Sequence, residues 1–172
     1  MNTDACCTAR RTLAVAAMLI LGGCAGTTAV QSTHPLLARQ GATDSVWVYI
    51  IRPDPGFRGV MDMPVTISLG GSELLTLAKG QYTLMHLTAT TADLKAESHT
   101  VVGTTNTMTK VSSNTLMTFS AGATHYLVFE LVPRGGLAGS VYLPRPVSRE
   151  GALEAVQGLT PVGVAAAEPI AK

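Results

Sequence analysis

The chain has 172 residues, room for one domain built on one hydrophobic core. Lys and Arg number 12 against 11 Asp and Glu, a formal net charge of +1, which excludes the basic footprint of a nucleic-acid binder. Although 47% of the residues are apolar, charges recur in every stretch after Cys24, and no run of the roughly 20 apolar residues that a membrane-spanning helix needs occurs there.

The first segment is different. Arg10-Arg11 supplies a positive region, and Leu13 to Leu21 is an uninterrupted apolar run, within the roughly 7–15 residues of a secretory signal and too short to span a bilayer. Leu21-Gly22-Gly23-Cys24 follows, with an aliphatic residue at −3, two small residues and a cysteine. It resembles the lipobox of bacterial lipoproteins. Diacylglycerol transfer needs a thiol at the membrane surface, and the cleaving peptidase needs small side chains before the scissile bond. The sequence therefore predicts cleavage between Gly23 and Cys24, with Cys24 carrying a covalent lipid as the only cofactor. The competing reading, a buried helix ending in a Gly-Gly turn, would make the order of charge, apolar run and small residues a coincidence. Arg10-Arg11-Thr12-Leu13 departs from a twin-arginine signal in its flanking residues, so general secretion is expected.

Cysteine usage agrees with export. Cys6 and Cys7 lie in the segment that would be removed and Cys24 would be consumed by the thioether, leaving neither disulfide nor free thiol. Read as metal ligands, Cys6-Cys7 have no partners elsewhere. Removing Arg10, Arg11 and Asp4 with the signal leaves ten charges of each sign. A three-chain anchor would hold the protein firmly, each buried methylene contributing about 0.8 kcal/mol. Ala25, rather than Asp, follows the cysteine, which resembles lipoproteins sent to the outer membrane and facing the periplasm.

Residues 24–44 are rich in Thr, Ser, Ala, Gln and Gly and read as a flexible tether, with His34 solvated. Val46-Trp47-Val48-Tyr49-Ile50-Ile51 is apolar on both faces, as a central strand is, and Arg52-Pro53-Asp54-Pro55-Gly56 ends it. Val65, Ile67 and Leu69 alternate with Thr66 and Ser68. Gly70-Gly71 then fits a two-residue hairpin turn into Glu73–Leu77. Gln81–Leu87 and Asp93–Glu97 read as antiparallel strands, 99–114 as a polar excursion with a ragged edge hairpin, and Leu116–Ser120 with Thr124–Val132 as a second hairpin. Val141–Leu143 is a short strand before the breaker Pro144-Arg145-Pro146. Ser148 is placed to cap a helix carrying Ala152, Ala155, Val156 and Leu159 at i, i+3, i+4 and i+7, stopped at Gly158. The tail from Leu159 to Lys172 has no period and reads as disordered. These elements describe a mainly β domain over 45–158, an antiparallel β-sandwich of the Ig style or an open barrel, with seven or eight strands and one short C-terminal helix.

The runs Val48 to Pro53, Val65 to Gly71, Leu77 to Tyr82 and Ala121 to Val128 resemble the domain of unknown function numbered twenty-eight forty-six, found in short bacterial lipoproteins. The resemblance covers about Ser45 to Gly158 and implies a small β-sandwich similar to PEGA-type envelope domains, with no known activity. Where that family has a Pro-Gly turn before its fifth strand, this chain has Thr88-Ala89-Thr90-Thr91, so the register of that hairpin is open.

Chemistry is sparse. No serine sits in a nucleophile elbow, the mature chain has no free thiol, and His34, His86, His99 and His125 are too scattered for zinc. Glu130 reads as solvent-facing, or, if buried, as a partner for Arg52. Arg52, capping the central strand, reads as a structural anchor, with anion or peptide recognition as its functional alternative. Trp47 and Tyr49 share a face and suggest core packing or a glycan platform. The expectation is a non-enzymatic envelope protein whose domain is a binding or structural module for another envelope protein, an unpaired sheet edge being able to accept a partner strand. A cell-wall or glycan binder using Trp47 and Tyr49 is the second reading, and a small hydrolase without a visible constellation the third.

Overall fold

A computed structural model describes residues 34–38, 42–54, 56, 63–102, 107–134 and 139–170. The signal segment, the cleavage site at Gly23, the lipidation site at Cys24 and most of the expected tether lie outside the described residues. No described helix is long and apolar enough to cross a membrane.

The fold is a β-sandwich with one short helix. Nine strands run in chain order: β1 Ser45–Arg52, β2 Val65–Leu69, β3 Ser72–Leu77, β4 Gln81–Thr88, β5 Thr90–Val102, β6 Thr107–Phe119, β7 Thr124–Pro133, β8 Ser140–Val147, then helix α1 Arg149–Ala155 and β9 Thr160–Gly163. One sheet has the order β8-β7-β1-β4-β9 and the other β3-β2-β5-β6. The second is antiparallel throughout, but the first is mixed, because β1 runs parallel to β7 and β4 parallel to β9. The expected β-sandwich with one short helix is the fold observed; it has nine strands where about seven or eight were expected, and two parallel pairs where antiparallel pairing was expected.

Strand β1 shows why. Its even residues Val46, Val48 and Ile50 join Ile67 and Leu69 of β2, Leu94 of β5 and Phe129 of β7 in the core between the sheets. Its odd residues Tyr49 and Ile51 pack with Tyr82, Leu84 and Val128 on the opposite face, under Ala152, Ala165 and Ile170. The first sheet is thus covered on both sides, which is what a strand apolar on both faces requires. The second sheet turns its other face to solvent, where Lys95, Glu97 and Lys110 form an ion cluster with nitrogen–oxygen distances of 3.0 and 2.7 Å.

The tail from Leu159 is ordered as far as Ile170. Thr160–Gly163 pairs with Gln81–Leu84, and the buried Thr83 hydroxyl donates to the Val162 carbonyl at 2.9 Å. An aperiodic run can still form a parallel edge strand and then bury a few isolated apolar side chains, a pattern that local periodicity does not register. The tether is likewise shorter than expected. Leu36 and Leu37 pack on the core, and His34 is buried, its Nδ1 accepting from the Leu36 amide so that Nε2 is left to donate to the Ser72 carbonyl, both at 3.1 Å.

Four further differences are local. The expected hairpin of Leu116–Ser120 with Thr124–Val132 does not form, because β6 lies in the second sheet and β7 in the first. The chain makes no hairpin at Thr88–Thr91: β4 ends at Thr88, β5 starts at Thr90 in the other sheet, and the Ala89 amide donates to Asp44 at the crossing. Of the polar run, residues 99–102 and 107–114 belong to the long β5–β6 pair in continuous register. Strand β8 passes through Pro144 and Pro146 instead of stopping before them. The Gly70-Gly71 turn has both φ angles positive, at 58° and 85°, as a tight hairpin of the expected kind needs.

Candidate functional site

Arg52 lies at the end of β1 on its inner face, 1% exposed. Nη1 donates to the Leu77 carbonyl at 2.9 Å, and Nη2 to the Met63 carbonyl and the Tyr142 hydroxyl at 3.0 Å each. The guanidinium carbon stands 4.9 Å from the centre of the Tyr142 ring. One cation therefore ties β1, the end of β3, the approach to β2 and β8 together, and a ligand in solvent does not reach it.

Trp47 and Tyr49 share the outer face of the first sheet but meet different surroundings. Trp47 is 43% exposed and stacks on His86, its cross-strand neighbour, with ring centres 5.0 Å apart. Tyr49 is 6% exposed, stacks on Tyr126 at 5.4 Å and donates its hydroxyl to the Glu168 carbonyl at 3.2 Å. Burial pushes its pKa up, helped by Tyr126, Glu168 and Tyr82. Glu168 also brings a carboxylate oxygen to 3.9 Å from His86 Nε2. His86 joins Trp47 because it faces it across the ladder, a placement the alternation of β4 announces. Glu168 comes from the tail and had no sequence signal.

A groove of about 880 Å³ lies between α1 and the β7–β8 pair, walled by Val128, Val132, Pro146 and Val147. Its charged members answer one another: Arg145 Nε donates to Glu130 at 2.6 Å, so Glu130 is a half-exposed partner of Arg145 and not of Arg52. The Ser148 hydroxyl caps α1 by accepting from the Gly151 amide. His125, in the core-facing register of β7, sits edge-on to Phe119, and burial lowers its pKa. Among the described residues, no three His, Cys, Asp or Glu side chains gather as a metal site would require.

The sheet edges differ more than these surfaces do. In an antiparallel ladder, residues alternate between pointing their main-chain groups at the partner strand and away from it. The Arg134 amide donates to Gly139, which fixes that phase for β7 and β8 and turns the main chain of Tyr142, Pro144 and Pro146 outward. The two prolines have no N–H to offer there, and the Tyr142 carbonyl accepts from the Ser113 hydroxyl, so this edge is closed to a further strand. Strand β9 has four residues, one of them Pro161. Strand β3 has six, with a register shift opposite it, and carbonyls at its two ends accept from His34 and Arg52.

Strand β6 is left. The Gly70 amide donates to Asp93 in line with the β2–β5 ladder, so Asp93 and Lys95 point toward β2, and Leu94 and Ala96 toward β6. Their partners Thr115 and Ser113 point back, and the main chain of Ser112, Asn114, Leu116 and Thr118 points outward. The Ser112 carbonyl accepts from Arg134 at 3.2 Å. From Asn114 to Thr118 no strand among the described residues pairs with this edge, and Leu116 stands 68% exposed on it. The sequence placed a strand at Leu116 but not its ladder phase, which depends on the pairing of β2 with β5. No protein-family model, no curated protein and no solved structure matches the chain.

Proposed function

We propose that the chain is a lipid-anchored envelope protein, held to the outer membrane through Cys24 and facing the periplasm, whose sandwich is a non-enzymatic module that joins another polypeptide by accepting its strand along β6. The observation that carries the binding half is the outward-pointing main chain of Asn114, Leu116 and Thr118 on a 13-residue strand with no proline. Strand addition supplies affinity through such main-chain bonds and selectivity through alternate side chains. The anchor rests on the order Arg10-Arg11, the apolar run and Leu21-Gly22-Gly23-Cys24.

Two measurements test it. Globomycin, which blocks lipoprotein signal cleavage, should make the precursor accumulate, and Cys24→Ser should release the protein from the membrane fraction; an unchanged distribution in both overturns the anchor. A photo-crosslinking amino acid at Leu116 should trap a polypeptide in intact envelopes, whereas the same group at Thr66, in the middle of the second sheet, should not. Equal yields at the two sites overturn strand acceptance.

The open ring of Trp47 supports a second reading, glycan stacking on the Trp47–His86 pair. Tyr49, covered by the tail, would take no part. Trp47 is the chain's single tryptophan, so titration with soluble cell-wall fragments reads it directly by fluorescence, and an unchanged spectrum removes this reading.

A further inference from the structure

We infer that the strand β6 accepts is β6 of a second copy of this chain, antiparallel about a two-fold axis at Leu116. This rests on the strand-accepting reading above and names its partner.

The register follows from what is closed. At Ser112 and Ser113 the edge is engaged by Arg134 and by Tyr142 of β8, so a strand has room from Asn114 to Thr118. Only residues pointing outward pair through hydrogen bonds, and in an antiparallel two-fold their positions add to a constant. Centring the axis on Leu116 sets Leu116 against Leu116 of the second copy and Asn114 against Thr118. The most exposed large apolar side chain on the described surface then covers its own counterpart, with the polar pair Asn114 and Thr118 flanking it on the same face.

Charge permits this pairing. Residues 111 to 119 carry no charged side chain. Asp93, beside Leu116 on β5, would lie three strand spacings from its equivalent, about 14 Å, beyond the screening length of physiological salt. Lys95, beside Asn114, would face Thr118 and then Thr91. An edge without charge or proline is an aggregation hazard in a monomer, and natural edges are usually blunted, as β8, β9 and β3 are here. An isologous pair removes the edge left bare among the described residues and closes on itself without propagating.

The test uses the full chain in membranes of the producing cell. Paired outward residues stand about 5.5 Å apart between Cα atoms, within disulfide reach. Oxidation should therefore convert Leu116→Cys to a covalent dimer, with most of the protein shifted on a non-reducing gel, while Asn114→Cys and the parent chain form no covalent dimer on that gel. In detergent, the parent should weigh twice the monomer by light scattering and Leu116→Pro should weigh once, with an unchanged far-ultraviolet circular dichroism spectrum, because residue 116 gives its N–H to no strand of its own chain. A monomeric parent together with no Leu116→Cys crosslink overturns the second copy. If the photo-crosslinker at Leu116 then traps a different polypeptide, strand acceptance survives; if it traps nothing, both readings fall. A crosslink with Asn114→Cys alone overturns the register.

Discussion

The fate of individual polar residues is set by whether the core supplies them with partners. Arg52 donates through its Nη atoms to the carbonyls of Leu77 and Met63 and to the Tyr142 hydroxyl, so Arg52→Met would keep the volume and leave those carbonyls without their donor. A loss of about 3 kcal/mol in urea unfolding is expected, the scale of removing one member of a buried charged network. His125 gives a pH dependence. Burial holds its folded pKa below the unfolded value, so the unfolded chain binds the extra proton first as the medium is acidified. The stability it contributes is complete above about pH 6.5 and falls as pH drops toward the folded pKa. His125→Phe should flatten that stretch of a stability-against-pH curve. Glu97 works in the same direction at lower pH: its hydrogen bonds with Lys110 and Lys95 lower its pKa, so its contribution is present above the ordinary carboxylate range and lost below it. Glu97→Gln should remove that lower step and leave the histidine step untouched.

At the scale of the element, the ladder phase decides what each strand can do. Pro144 and Pro146 look in sequence like the end of a strand, yet they are tolerated within β8 because the donors they lack would point away from β7. Replacing both with threonine should therefore leave the fold intact and open a second edge, read as species larger than a dimer in light scattering. Ser148→Ala should cost about 1 kcal/mol through the lost cap of α1. Strand positions, the Gly70-Gly71 turn and the helix start were readable from alternation, paired glycines and capping chemistry. What alternation could not tell was which sheet a strand joins: β4 and β5 look like a hairpin because a few polar residues separate them, but the chain crosses the sandwich there. The edge around Leu116 was hidden for the same reason, since its exposure follows from partners two strands away.

Across the whole molecule, the described ends of the chain do more than the sequence indicates. His34, Leu36 and Leu37 close one side of the core, and the segment from Thr160 to Ile170 covers the outer face of the first sheet. The tail lacks a period because it contacts the sheet through isolated residues, Ala165 and Ile170, and through the main chain of Val162 and Glu168. Ending the chain at Leu159 should uncover Tyr49 and Tyr82, seen as increased binding of a hydrophobic dye and a lower melting temperature.

The parallel pairing of β4 with β9 also governs when this chain can fold. Gln81–Leu84 waits for Thr160–Gly163, and Trp47–Ile51 for Thr124–Val128, so the first sheet is completed by its most distant partners. Such pairings meet their loop-closure cost before any contact repays it and form slowly. A polypeptide emerging from a ribosome would hold most of its length before this sheet could close, and would stay extended for that interval. The export proposed above, by threading an unfolded chain through a narrow channel, would be favoured by that delay.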